Sequence, residues 1–417
     1  MMKPLINKKN VTKHSHNKGK IQAISSFLAI LMALLLSGLT ISITGVNPFA
    51  AIKVLFSGAF GSSYAFSETL LRTTPILIAS IGLAISFRCN LTSVGAEGQM
   101  IIGAIAATFT GLKISLASPV LEILVCIIAG FLGGALFGAI PGYLKAKLGT
   151  SEIIVTIMLN YIAIDLLSYL LDGPMREGGS FYPQSALLDQ SVWLPKIIAG
   201  TRLHAGFIIA IVFDIIYFFL MFRTPLGFKI RAVGFNSKAA EYAGVNVGRS
   251  ILTAMMLSGG LAGIAGAIEI FGVHHRLLNG FTAGVGFDAL AVALLGKLNP
   301  VGVFLASLFF AALKVGSNTM QHVMQVPTSI VYVIQGLLIL FVFTDTLIKD
   351  KLLYFEKRLK QNNPGSNQIM ESNYGITVQG LLAAAVRMAT PLLLAGLGGL
   401  FSAKSGIVSM FLEGFML

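Results

Sequence analysis

Long apolar runs recur along this chain, divided by glycine, proline and short charged stretches. One of them, residues 21–52, contains no charged residue at all. Lipid offers no water to backbone N–H and C=O groups, so a segment that crosses it must be a helix or part of a closed barrel. A barrel would show weakly alternating segments of about ten residues, and the runs here are longer and continuous. An all-α polytopic membrane protein is therefore expected. Composition agrees, with 55% hydrophobic and 11% charged residues, against about 25% charged in soluble domains.

About ten transmembrane helices are expected, near 21–45, 67–88, 98–112, 119–144, 153–171, 205–223, 250–272, 284–297, 298–320 and 328–346. Residues 1–20 form a basic tail with Lys3, Lys8, Lys9, Lys13, Lys18 and Lys20 beside His14 and His16. The apolar run after this tail is too long for a signal peptide, so it reads as a first span whose N-terminus is cytoplasmic. With ten spans, Lys145, Lys147 and the basic stretch 223–249 fall inside, and the charge-balanced stretch 172–204 falls outside. Lys and Arg are retained in the cytoplasm during insertion, which agrees with that parity. The expected location is the plasma membrane, multi-pass, with residues 21–346 as the membrane domain and 347–373 as a polar cytoplasmic linker.

The net charge of +13 does not point to nucleic acid, because the cations cluster beside apolar runs, where topology and anionic lipid account for them. No aromatic-basic interleaving suited to single strands is visible. Cys89 and Cys126 fit no disulfide or metal framework, so no metal site is expected.

The stretch 223–249 is a polar island between apolar runs, with five cations and one anion. Asn236 or Ser237 can cap a helix start, and Gly244 can supply the left-handed residue that ends one. Ala239, Ala240 and Ala243 then share a face, offering a small-residue surface that another protein could approach closely. The plainer reading is a solvated loop that only orients the spans.

Only fifteen residues separate Arg72 from Arg88, with Pro75 among them, and fifteen separate Glu97 from Lys113. Crossing takes about 20 residues, and short or interrupted spans are where transporters line a substrate path. A central cavity is therefore expected near residues 87–98, with a short turn between tilted helices as the alternative. Candidate pathway residues are Phe87, Asn90, Glu97, Asn160, Tyr161 and Asp288. Asp165 lies five residues beyond Asn160 and so points about 140° away. Of the two, Asn160 is preferred, because an amide can exchange hydrogen bonds with a neutral hydroxylated ligand without burying a charge, with a plain interhelical hydrogen bond as the alternative.

Leu257-Ser-Gly-Gly-Leu261 looks like the start of the signature of ABC ATPases, but it lies inside an uncharged run, and the chain has no G-x-x-x-x-G-K-S/T loop. Gly259, Gly263 and Gly266 are better read as small residues that allow close helix packing.

Four ordered stretches carry a family resemblance: GAEGQ at 95–99, GTSEIIVTIMLNY at 149–161, RAVGFNSKAAEYAG at 231–244 and GFDALAVALLGKLNP at 286–300. Together they resemble the permease subunits of ABC importers, in the ribose and branched-chain type that handles simple sugars and nucleosides. The resemblance implies that Gly234, Asn236, Ala239, Ala240 and Gly244 belong to a coupling loop. It further implies cytoplasmic ATPase subunits that bind ATP and Mg, a second permease subunit, an extracellular substrate-binding lipoprotein, and transport by alternating access. This chain would bind no cofactor and would not itself be an enzyme. A nucleoside is the first choice of substrate and a simple sugar the second.

The segment TPLLLAGLGGLFSAK at 390–404 and its continuation to Met416 align without gaps on residues 74–100 at an offset of 316. Residues 374–417 are thus expected to be the incomplete start of a second permease copy, joined by an error between neighbouring reading frames. A heterodimeric transmembrane pair follows as an expectation. The rival from another class is an ion-gradient-driven secondary transporter that uses Asp165, Asp214 or Asp288 as a proton site.

Overall fold

The computed structural model describes residue 42, residues 46–114 and residues 118–325. The basic tail, most of the span expected at 21–45, the span expected at 328–346, the linker and the C-terminal repeat lie outside the described residues. The chain forms α1 (Pro48–Phe60), α2 (Ser63–Arg88), α3 (Ala96–Lys113), α4 (Pro119–Leu148), α5 (Glu152–Asp172), α6 (Gly206–Arg223), α7 (Pro225–Phe235), α8 (Ser237–Tyr242), α9 (Val247–Glu269), α10 (Val285–Leu295) and α11 (Pro300–Met324). Helix α9 runs on into a π-helical turn, Ile270–His274. The helices α2, α4, α5, α6, α9 with its π turn, and α11 are long and apolar enough to cross a membrane.

The expected spans within the described residues fall on helices, but those at 98–112 and 284–297 fall on α3 and α10, which are not among these six. The described residues therefore do not establish ten spans. Two further differences appear. Helix α2 is not short: it starts at Ser63, where Ser62 accepts the Ala65 N–H, and it runs through Arg72 and Pro75 to Arg88. At 1.5 Å per residue it is about 39 Å long. Arg72 does not end the span because Glu269, far along the chain, lies 3.5 Å from its guanidinium. The second difference is α1, which falls between two expected spans and starts at Asn47, whose side chain caps the Phe49 N–H before Pro48 in the first turn.

Helices α2 and α9 form the centre. The most apolar window of α2 is 83% buried, whereas those of α5 and α6 are each 22% buried and turn most of their apolar surface outward. Helix α9 packs on α4, α2 and α3, while α5 packs on α3 and α11 packs on α1 and α2. Glycine makes the central crossing possible. A Cβ on Gly263 would overlap the Gly130 carbonyl of α4, and one on Gly266 would overlap the Met100 carbonyl of α3. Van der Waals contact and close backbone approach hold helices together where lipid removes the hydrophobic drive, which is why these positions are small.

Candidate functional site

Two regions at one end of the bundle carry the residues singled out from the sequence. The first is the α7–α8 segment. Thr224 accepts the Gly227 N–H at 3.2 Å and Pro225 opens the first turn, so only Thr224 separates α7 from α6. Asn236 breaks the path with an extended backbone, and its side chain accepts the Ala239 N–H at 3.0 Å, starting α8. Gly244 adopts φ +80° and turns the chain toward α9.

Gly234 has a specific purpose. It lies against the end of α2, where a Cβ would overlap the Arg88 carbonyl oxygen. The same end of α2 is clamped from several sides. The Arg88 guanidinium donates to the Tyr217 hydroxyl at 2.9 Å and to the Leu298 carbonyl at 3.2 Å, and lies 4.7 Å from the centre of the Phe222 ring.

The alanine face of α8 divides. Ala240 is buried against the bundle, whereas Ala239 and Ala243 are exposed. The outward surface also carries two aromatic residues absent from the sequence-based set, Phe235 at 89% and Tyr242 at 93% exposure. Their signal was present, since large aromatics in a short polar island have no core of their own to enter.

The second region is the irregular segment between α2 and α3. Asn90 is exposed at φ 59°, and the backbone groups that follow have no helical partner. Helix α5 supplies partners from one line of side chains at i, i+4 and i+8. Glu152 accepts the Thr92 N–H at 3.2 Å, Thr156 accepts the Val94 N–H at 3.2 Å, and Asn160 accepts the Gly98 N–H at 2.9 Å. The Asn160 amide also donates to the Val94 carbonyl at 2.9 Å. Lys145 pairs with Glu152 at 2.8 Å and ties this ladder to the end of α4. Backbone groups that lack helical partners need such side-chain partners where they are buried.

Glu97 opens α3 and is buried. Its carboxylate accepts the Gly286 N–H at 2.7 Å and the Thr282 hydroxyl, so it joins the start of α3 to the start of α10. A carboxylate at a helix N-terminus meets the unsatisfied N–H groups there. Asp288, in the first turn of α10, pairs with Lys314 of α11, which also donates to the Ala283 carbonyl at 3.2 Å. The structure thus gathers Glu97 and Asn160 into one buried network around Gly98. Phe87 is half-buried at the end of α2, and Tyr161 turns outward at 56% exposure, away from Asn160.

At the opposite end, residues 173–205 lie along the π turn of α9. Leu194 donates to the Phe271 carbonyl at 3.1 Å, and Trp193 stacks on His275 with ring centres 3.9 Å apart. His204 packs on Gly272, accepts the Gly206 N–H at 3.1 Å, and has its pKa pushed down to about 4 by burial. Burial works against the charge of Arg202, but the Glu68 carboxylate beside it raises its pKa above the ordinary value. Among the described residues no cluster of three or more His, Cys, Asp or Glu side chains could hold a metal ion.

Six membrane-length helices around a glycine-rich crossing are those of a polytopic membrane protein. Residues 65–343 match the family described as the branched-chain amino acid transport system / permease component, and the chain belongs to it. It is 35% identical over 327 residues to the guanosine ABC transporter permease protein NupP of Bacillus subtilis, covering 77% of this chain and 93% of that one. It is 35% identical over 332 residues to the glucose ABC transporter permease protein TsgB13 of Haloferax volcanii, covering 77% and 87%. Against the nucleoside ABC transporter permease protein NupB of Lactococcus lactis the identity is 32% over 331 residues, covering 77% and 91%. No solved structure matches the chain.

Proposed function

We propose that this chain is a transmembrane subunit of an ATP-driven importer for a nucleoside, with a simple sugar as the second choice. It sits in the plasma membrane with α7 and α8 on the cytoplasmic side, and ATPase subunits dock on the α7–α8 segment through Phe235, Ala239, Tyr242 and Ala243. A second permease subunit completes the membrane part, and a binding lipoprotein meets residues 172–204 outside, where Phe181 and Tyr182 are 89% and 70% exposed. ATP and Mg bind on the ATPase subunits.

One observation carries the coupling: Gly234, two residues before the cap of α8, bears directly on the Arg88 carbonyl at the end of α2. A push on α8 therefore reaches the irregular segment between α2 and α3 without passing through solvent. That segment is pinned by α5 on one side and, through Glu97, by α10 on the other, so its displacement would move both. The charge distribution supports the orientation, since Arg88, Lys145, Lys147, Arg223, Lys229, Arg231, Lys238 and Arg249 share the α7–α8 end. The nucleoside reading draws on the relatives named for guanosine and nucleosides, and the sugar reading on the one named for glucose.

The test is uptake of labelled guanosine, uridine and ribose by cells carrying the chain with its partner subunits. Uptake that disappears with Gly234→Val while the protein still reaches the membrane supports ATPase coupling, and the preferred label names the solute. Uptake that survives Gly234→Val and collapses with a proton uncoupler at constant cellular ATP overturns the proposal in favour of an ion-driven carrier.

A further inference from the structure

Helix α5 has a buried face and an exposed one, and the exposed one is largely aliphatic, with Met158, Ile162, Ile164 and Leu166. Thr156, Asn160, Ala163, Leu167 and Leu171 are buried against the rest of the chain. The other face carries Tyr161, Asp165 and Tyr169 at i, i+4 and i+8, a spacing that stacks side chains along one line. Tyr161 and Tyr169 are 56% and 68% exposed, and Asp165 is exposed as well. The Asp165 carboxylate has no hydrogen bond or ion pair among the described residues. Ser168, one residue before Tyr169, lies beside this line, and its hydroxyl donates to the Asn279 side chain at 3.4 Å.

Depth decides what can cover this face. At 1.5 Å per residue, Asp165 lies about 20 Å from Glu152 and about 10 Å from Asp172, within the hydrocarbon layer. A carboxylate turned to lipid there costs on the order of 3 kcal/mol. The face must therefore meet water or protein rather than lipid.

We infer that Tyr161, Asp165 and Tyr169 line the solute path where this chain faces the second permease subunit, and that the stripe recognises a neutral ribosyl solute through its vicinal hydroxyls. This rests on the importer reading. An ionised carboxylate only accepts hydrogen bonds, and its two oxygens can take both hydroxyls of a cis-diol. The tyrosine rings cover the apolar faces of sugar and base, and each keeps a polar tip for water. The same carboxylate repels phosphorylated solutes, so nucleosides pass and nucleotides do not.

The experiment uses the full chain assembled with its partner subunits in proteoliposomes. Asp165→Cys, Tyr169→Cys and, on the exposed face of α4, Leu136→Cys are treated with a charged, membrane-impermeant thiol reagent. The native thiols stay silent, because Cys89 and Cys126 are buried and burial pushes the Cys89 thiol up to about 12. Positions 165 and 169 are expected to react, position 136 to resist, and saturating guanosine to slow the reaction at 165 and 169 several-fold. No reaction at 165, or a reaction that neither guanosine nor ribose slows, overturns the inference.

Transport supplies a second readout. Asp165→Asn is expected to lower uptake of guanosine roughly ten- to hundredfold, the scale of one lost charge-assisted hydrogen bond, and to narrow the preference over 2′-deoxyguanosine. An Asp165→Asn chain that no longer co-purifies with its partner identifies an ion pair between subunits and overturns the inference. If the unsubstituted complex takes up guanosine without ATP, the importer reading fails while the labelling pattern still reports on the stripe.

Discussion

Asn160 of α5 accepts the Gly98 N–H at 2.9 Å, and this bond anchors the start of α3 to a helix that follows α4 in the chain. The other end of the amide is occupied by the Val94 carbonyl. With both ends engaged and 4% exposure, Asn160 holds the irregular segment in place. Asn160→Leu leaves one buried donor and one buried acceptor unpaired, each worth about 1–3 kcal/mol. The expected result is a clear drop in thermal unfolding temperature in detergent and faster hydrogen exchange at Gly98. Asn160→Asp keeps the acceptor and should fall between the two. A leucine variant as heat-resistant as the parent would show that these two bonds do not hold the segment.

Gly234 and Gly244 make a controlled pair. Any side chain at Gly234 collides with the Arg88 carbonyl, so Gly234→Ala should uncouple ATP hydrolysis from uptake by displacing the end of α2. Gly244 has open space around it and only a positive φ to satisfy, so Gly244→Ala should cost about 1–2 kcal/mol and leave coupling largely intact. Uptake and ATPase rate measured together separate these outcomes, and equal effects at both glycines would count against a transmitted push.

Phe235 and Tyr242 project from the α7–α8 segment and contribute nothing to a core. The double substitution to alanine is expected to weaken co-purification of the ATPase subunits by about 2–4 kcal/mol, the range of aromatic anchors at interfaces, with an unchanged unfolding temperature. Full recovery of the ATPases with the double variant would place their docking elsewhere.

Acid should loosen the opposite end through His204. Its ordinary value is 6.5, and burial in the folded chain pushes it down to about 4. Above pH 6.5 both folded and unfolded chains carry it neutral, and it contributes no pH dependence. Between 6.5 and about 4 the unfolded chain takes up a proton that the folded chain does not, so stability falls as pH falls, by roughly 3 kcal/mol over the window. The neighbouring Glu269 carboxylate opposes part of this shift, and His275 adds to it. His204→Asn retains an acceptor for the Gly206 N–H and should flatten the acid side of an unfolding-temperature profile taken from pH 7 to 4.5.

Much of the fold could be read along the chain, because in lipid an element announces itself by apolar length. The local punctuation of α8 was also legible: Asn236 caps and Gly244 turns, both through chemistry confined to a few neighbouring residues. What escaped depended on distant partners. Arg72 looked like the end of a span until Glu269 lay beside it. Ala240 looked outward because an alanine carries no sign of which way its helix will roll, and packing turned it in. Helix α1 escaped because its packing partner is α11, far along the chain.

Helix α5 shows the division most clearly. The sequence by itself determined that it is a membrane-length helix and that Asn160 and Asp165 point about 140° apart, since helical geometry is local. Only the tertiary structure decided that the Asn160 face turns inward and the Asp165 face outward. Asn160 is held by backbone groups from the segment after α2, which has no helical partners of its own, and that demand becomes visible only once α3 and α5 are side by side.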